Sequence, residues 1–229
     1  MSSQRPTLTV DAAFPGGNIV VDSAEGDAIR VHQDLRDTEG DWFWWCFRVQ
    51  GAAGRTLSVE LTASPVIGPM GPAVSFDAGK TWSWLGAEAV SENRKFSFSA
   101  PADAGEVRFA FAMPYLEADL KRWLAGRARA GGGSALCVEE LCRSRKGRAV
   151  ELLRLGRLDG APRFRIALAA RHHCCESVAD WVLEGAMEAI LAPDETGGWF
   201  RENVEALVVP FADKDGVEDG DQGDRKSVV

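Results

Sequence analysis

"RFRIALAARHHCCESVADWVLEGAMEAILAP", Arg163–Pro193, decides how the second half of the chain is read. It opens on a dense apolar run, crosses two histidines, two cysteines and a glutamate, and closes on a helical pattern ended by proline. "RFRIALAA" reads as a strand, apolar on both faces and therefore buried. "ESVADWVLEGAMEAILA" reads as a helix. Val178, Trp181, Val182, Ala186, Ala189 and Ile190 would face a sheet, and Asp180, Glu184 and Glu188 would form a solvated side. Upstream, "AVELLRLGRL" reads as a strand and "LDGAP" as a turn; downstream, "VEALVVPFA" reads as a further strand. Strand, helix, strand with buried strands predicts an α/β sheet with a right-handed crossover.

Open α/β sheets bind ligands at the C-terminal ends of their strands, and "RHHCCE" lies at that position. His173 and Glu176 form an H-x-x-E pair whose imidazole nitrogen and carboxylate oxygen suit Zn²⁺. A catalytic zinc needs a third protein ligand and a place for water. On these residues alone, a metal pair and a polar turn without metal stand as alternatives. Cys174 and Cys175 read as small, partly buried thiols that pack the loop, with a vicinal disulfide as the alternative. Cys137 and Cys142 have no histidine nearby and read as structural.

Residues 7–113 follow another pattern. From "TLTVDAAF" to "EVRFAFAM", short segments of period-two alternation are separated by Gly, Pro, Asp and Asn, which predicts a β-sandwich. In "EVRFAFAM", Val107, Phe109, Phe111 and Met113 fall on one face. After Pro114, "YLEADLKRWLAGRARA" places Leu116, Leu120, Trp123 and Leu124 at helical spacing, and "GGGS" at Gly131–Ser134 ends that helix. The expected domains are therefore a β-sandwich over 1–114 and the first part of an α/β domain over 115–229. Trp42, Trp44, Trp45, Trp82 and Trp84 read as core rather than as a ligand-binding surface.

In 229 residues, 45% hydrophobic and 26% charged side chains predict a packed core. A net charge of −8 disfavours nucleic acid as a partner. "RSRKGR", Arg143–Arg148, reads as an exposed turn before a strand. "MSSQRPTLTV" has no apolar run for a signal peptide, and no stretch reaches the ~18 apolar residues of a membrane span. Five cysteines, an odd number, do not suggest a disulfide framework, so a reducing, cytoplasmic setting is expected.

At this point the residues resemble a known family. "ARHHCCESVADWVLEG" is similar to the zinc-binding segment of M14 metallocarboxypeptidases. It is close to A-R-x-H-P-G-E-x-x-x-S-W-x-x-x-G of the cytosolic carboxypeptidase subfamily, with Arg171, His173, Glu176, Trp181 and Gly185 in register. "VVPFADKDGVEDG" resembles that subfamily's V-P-M-L-N-P-D-G-V-x-x-G through Val209, Pro210, Asp215, Gly216, Val217 and Gly220. "FPGGNIV", "WFWWCFRV" and "FAFAMPYLEADLKRWL" resemble its N-terminal β-sandwich and the P-Y-x-x-x-D-L junction. Two departures stand out: Cys174-Cys175 replaces Pro-Gly, and Asp213-Lys214 replaces Asn-Pro.

The resemblance implies a zinc carboxypeptidase-like fold and Zn²⁺ as cofactor, with His173 and Glu176 as metal ligands. It implies a peptide or protein C-terminus as substrate, and gives Arg171 a role in supporting the loop or in binding substrate. It also implies an Asn-Arg pair for the substrate carboxylate, a second zinc histidine and a glutamate general base. No histidine follows His173, so the general base and third ligand are expected beyond Val229, and the chain as given is expected to be inactive. "DRKSVV", Asp224–Val229, back-translates to the start of a widely used sequencing adapter and reads as read-through into a chain that naturally continues. Two alternatives remain at this stage: a zinc deacylase or amidase of the same fold, and a non-catalytic binding module built on the Trp-rich sandwich.

Overall fold

A computed structural model describes residues 7–36, 38–40, 42–129 and 135–223. The expectations for "GGGS" at Gly131–Ser134 and for Asp224–Val229 lie outside the described residues. Contacts divide the chain into two units, one of Met1–Pro114 with Asp219–Val229 and one of Tyr115–Glu218.

The first unit contains ten short strands: β1 (Thr9–Asp11), β2 (Val20–Glu25), β3 (Ala28–His32), β4 (Cys46–Gln50), β5 (Thr56–Leu61), β6 (Ala73–Ser75), β7 (Ser83–Trp84), β8 (Val90–Ser91), β9 (Lys95–Ser99) and β10 (Glu106–Ala110). They form two five-stranded sheets, ordered β1-β4-β10-β6-β7 and β2-β3-β5-β9-β8. Alternation explains what each strand buries. In β10, Val107 and Phe109 are fully buried, while Arg108 and Glu106 point the other way and pair with each other. In β5, Leu57, Val59 and Leu61 are buried between more exposed neighbours. Both sheets contribute to one core, in which Phe47, Val49 and Phe109 meet Ile29, Val31, Val59 and Phe96. Trp44 and Trp45 are buried, the second within this core, whereas Trp42, Trp82 and Trp84 are half-buried. Burying one large aromatic side chain contributes roughly 1.5–3 kcal/mol, so the two inner tryptophans are structural anchors.

The described residues 219–223 belong to this first unit, although the sequence placed them with the second. The reason is a set of hydrogen bonds that a sequence pattern cannot display. Buried Asn18 donates to the Gly220 carbonyl (2.8 Å) and to the Asp34 carbonyl (2.9 Å). Buried Gln222 accepts from the Trp44 amide (2.7 Å) and donates to the Trp44 carbonyl (2.6 Å). Gly220 has φ +74, and a Cβ there would lie 2.3 Å from the Gly17 carbonyl oxygen, so only glycine fits.

In the second unit the order is α1 (Glu117–Arg129), β11 (Leu136–Arg143), β12 (Ala149–Gly156), β13 (Phe164–Ala169), α2 (Val178–Leu191), α3 (Glu195–Asn203), β14 (Val204–Val209) and α4 (Lys214–Asp219), with Asp219 itself grouped in the first unit. Its sheet has the order β11-β12-β14-β13. β11 pairs antiparallel with β12, and β13 runs parallel to β14 from Phe164↔Val204 to Ala169↔Val209. Leu153, Leu155, Ala206 and Val208 are the inner residues of β12 and β14, and they pack with Leu183, Met187 and Ile190 of α2.

Three expectations are corrected here. β13 is not buried on both faces: it lies at the edge of the described sheet, with Phe164 and Arg165 exposed. α2 turns Asp180, Leu183, Met187 and Ile190 inward, while Val178, Trp181 and Val182 are exposed. The carboxylates are not a solvated side. Glu184 accepts from the Tyr115 hydroxyl (2.7 Å), and Glu188 accepts from the Trp123 indole (2.5 Å) and pairs with Arg127 (2.5 Å), joining α2 to α1.

Candidate metal centre

β13 and β14 end side by side, and their pairing continues past the strands. The Ala170 amide donates to the Val209 carbonyl (3.1 Å), the Ala212 amide to Ala170 (3.0 Å) and the Asp213 amide to Arg171 (3.0 Å). The loop that follows β13 is thus fixed on its backbone before its side chains are considered. Arg171 then takes φ +59, a left-handed conformation that costs a non-glycine residue about 1–2 kcal/mol. The turn from His173 to Ser177 closes with the Glu176 amide donating to His173 (3.1 Å) and the Ser177 amide to Cys175 (3.0 Å).

This turn sorts its residues into two sets. Cys174 and Cys175 point inward and are 1% and 2% exposed. His173 and Glu176 point outward, their side chains about half exposed, with His173 Nδ1 3.1 Å from Glu176 Oε1. Two donors of a tetrahedral zinc at ordinary bond lengths stand about 3.3 Å apart. The two donor atoms therefore already sit at a separation one ion can bridge, and nitrogen with carboxylate oxygen is an ordinary zinc donor set. Among the described residues no group of three or more His, Cys, Asp or Glu side chains that could hold a metal ion is found, so His173 and Glu176 stand as a pair of candidate donors.

Arg171 is turned inward. It is 2% exposed. Its Nη1 donates to the Tyr115 carbonyl (2.9 Å) and to Asp180 Oδ2 (2.7 Å), and its Nε donates to the Cys174 carbonyl (2.8 Å), which Nη2 also reaches. This is the placement of a loop support. Asp180 is buried, and burial pushes its carboxyl up to about 7 against the pull of the Arg171 guanidinium.

Asp215, singled out by its Asp-Gly motif, ties down the β11–β12 turn. Its Oδ1 accepts from the Ser144 hydroxyl (2.8 Å) and from Arg148 Nη1 (2.7 Å), and its Oδ2 from the Lys146 amide (2.9 Å). Burial would raise its carboxyl, but these donors hold it below the usual carboxylate range. "RSRKGR" is therefore the turn that meets this aspartate. Lys214, which the sequence marked only as a departure, is fully buried, with Nζ 2.9 Å from both Glu151 carboxylate oxygens.

The cysteines divide by exposure. Cys46, Cys174 and Cys175 are buried; Cys137 and Cys142 are exposed on β11, which corrects their reading as structural thiols. All five are free. Burial pushes the thiols of Cys46 and Cys175 up to about 12. Thiolate is the reactive form, so a chromogenic disulfide reagent at pH 8 is expected to modify two thiols quickly and three at least about 100-fold more slowly until the chain is unfolded. Five equally fast thiols would contradict the packing of the loop.

The fold is that of the metallocarboxypeptidases. It is similar to the metallo-carboxypeptidase from Pseudomonas aeruginosa solved with (2-guanidinoethylmercapto)succinic acid, with TM-score 0.76 and 26% identity over 93% of this chain and 58% of that one. Residues 10–112 match the family model of the cytosolic carboxypeptidase N-terminal domain. Cytosolic carboxypeptidase 2 of Xenopus tropicalis is 30% identical over 128 residues, covering 53% of this chain and 13% of that protein. The uncharacterized protein ZMO1242 of Zymomonas mobilis is 30% identical over 218 residues, covering 92% of this chain and 54% of that protein. The first unit is thus similar in sequence to the cytosolic carboxypeptidase N-terminal domain, and the chain as a whole is similar in fold to the metallocarboxypeptidases. It spans little more than half the length of the Zymomonas and Pseudomonas proteins.

Proposed function

We propose that the chain is the N-terminal β-sandwich and the opening part of the α/β catalytic domain of a cytoplasmic, zinc-dependent carboxypeptidase that hydrolyses residues from the C-termini of peptides or proteins. The observation that carries this is the pair His173 Nδ1 and Glu176 Oε1, 3.1 Å apart on the outer side of a turn at a parallel strand's C-terminal end. His173 and Glu176 would hold the metal, while Cys174 and Cys175 pack beneath them. Zinc bound there supplies a Lewis acid for the scissile carbonyl and lowers the pKa of water. By family resemblance, a further histidine, a glutamate base and an arginine for the terminal carboxylate complete the machinery in a longer protein. The 229 residues alone are proposed to be inactive, since His32 and His172 are the only other histidines. Burial of Trp44 and Trp45 in the first unit favours this over a Trp-lined binding surface.

The test is Zn²⁺ titration of the chain, with release of C-terminal residues assayed on the longer gene product. His173→Ala and Glu176→Gln are each expected to weaken Zn²⁺ binding by at least about tenfold, since even partners that only orient a metal ligand contribute that much. In the longer protein either change is expected to abolish C-terminal release. Zn²⁺ binding that ignores both substitutions would refute the assignment.

A further inference from the structure

Resting on that reading, we infer that Arg171 and Asp180 form a positioning pair for the two candidate metal ligands. The Cys174 carbonyl belongs to the stretch between His173 and Glu176, so its direction governs how the turn presents both side chains. That carbonyl is gripped by the Arg171 guanidinium through Nε (2.8 Å) and Nη2. The guanidinium is in turn seated on Asp180 Oδ2 (2.7 Å) and on the Tyr115 carbonyl (2.9 Å). Both side chains of the pair are 1% exposed, so neither reaches outward to the metal or a substrate.

The backbone supports the same conclusion. A left-handed non-glycine residue persists only where its surroundings over-determine it. Arg171 is held from two directions: its carbonyl accepts from the Asp213 amide (3.0 Å), and its side chain is fixed by three inward acceptors. Its planar fork can reach those acceptors together, which the single ammonium of lysine cannot. Asp180 comes from the first turn of α2, so the helix start and the turn are joined by one side chain. The pair therefore fixes the inward set, Cys174 and Cys175, and leaves His173 and Glu176 pointing the other way. Outer partners of metal ligands typically alter metal affinity 10–100-fold.

The test uses the full chain with Arg171→Lys, Arg171→Met, Asp180→Ala and Asp180→Asn. Zn²⁺ is titrated while the imidazole nitrogens of His173 are followed by NMR, with His32 as internal reference, below the melting transition of every variant. Arg171→Lys and Arg171→Met are expected to weaken binding by about tenfold or more. Asp180→Ala is expected to do likewise, and Asp180→Asn, which keeps an acceptor, to restore most of the loss. Exchange of the Glu176 and Ser177 amides, which close the turn, is expected to accelerate about tenfold in the weakened variants. Wild-type affinity and exchange in Arg171→Lys would overturn the positioning role. If wild-type His173 ignores Zn²⁺, the metal assignment fails by itself, and the amide exchange still decides the role of Arg171. Should Arg171→Met not fold, Arg171→Lys, which keeps the charge, provides the reading.

Discussion

Phe109→Ala is expected to lower the stability of the first unit by about 3–5 kcal/mol. Phe109 is fully buried in β10, where its Cα partners are Phe47 on β4 and Val74 on β6. Its ring centroid lies 5.6 Å from that of Phe47, 5.1 Å from Phe96 and 5.3 Å from Phe98. Phe96 and Phe98 belong to the other sheet, so this one ring joins both. Removing it leaves a cavity and also forfeits three aromatic contacts, each worth about 0.5–1.5 kcal/mol. Urea unfolding followed by tryptophan fluorescence measures the loss. Phe98→Ala, at a half-buried edge of the cluster, is expected to cost less. Equal losses at the two positions would mean that Phe109 is not the keystone of this core.

Lys214→Ala is expected to cost the second unit a similar amount, about 3–5 kcal/mol, for a different reason. Its side chain is fully buried, with Nζ 2.9 Å from Glu151, 3.5 Å from Glu117 and 4.6 Å above the Phe211 ring. The ammonium ties α4 to β12 and to the start of α1. Deleting it leaves Glu151, largely covered, without the ammonium that its carboxylate meets. A buried charge without a partner costs more than the pair contributes, so Lys214→Met combined with Glu151→Leu is expected to recover most of the loss. Thermal melts of the two singles and the double decide this. A double substitution as damaging as the single would show that the ammonium is needed for shape rather than for charge.

Much of the first unit could be read directly from alternation. Val107 and Phe109 fall on one face of "EVRFAFAM", and that face is the buried one. The second unit was less transparent. "LCVEELCR" carries three charged residues and no alternation of polarity, because β11 lies at a sheet edge where nearly every side chain meets water. "ETGGWFREN" forms α3 although it holds two glycines, which weaken a helical pattern. Gly197 is required there, since a Cβ would lie 2.1 Å from the Ala192 carbonyl oxygen. The inward face of α2 is hidden from hydropathy, which counts carboxylates as solvated. Tyr115, Trp123 and Arg127, which satisfy Glu184 and Glu188, come from a segment some 60 residues earlier.

At the candidate site, H-x-x-E left a metal pair and a plain polar turn as alternatives, and only the family resemblance singled out His173 and Glu176 as ligands. The inward turn of Arg171 was not readable, because it depends on a positive φ and on acceptors contributed by Tyr115 and Asp180. Lys214 and Asp215 were visible only as motif positions. Their roles rest on partners at Glu151 and Ser144, which no local pattern connects to them.

Asn18 and Gln222 carry a consequence for the order of events during synthesis. Asn18 emerges early, yet one of its acceptors, the Gly220 carbonyl, follows 202 residues later. Residues 115–218 must be made before the first unit receives its last segment. At about 5–20 residues per second, that interval is roughly 5–20 s. Throughout it, the Asn18 amide and the Trp44 amide and carbonyl wait without the groups that Gly220 and Gln222 supply. A nascent chain paused before Gly220 therefore holds a first unit that lacks these hydrogen bonds to Asn18 and Trp44.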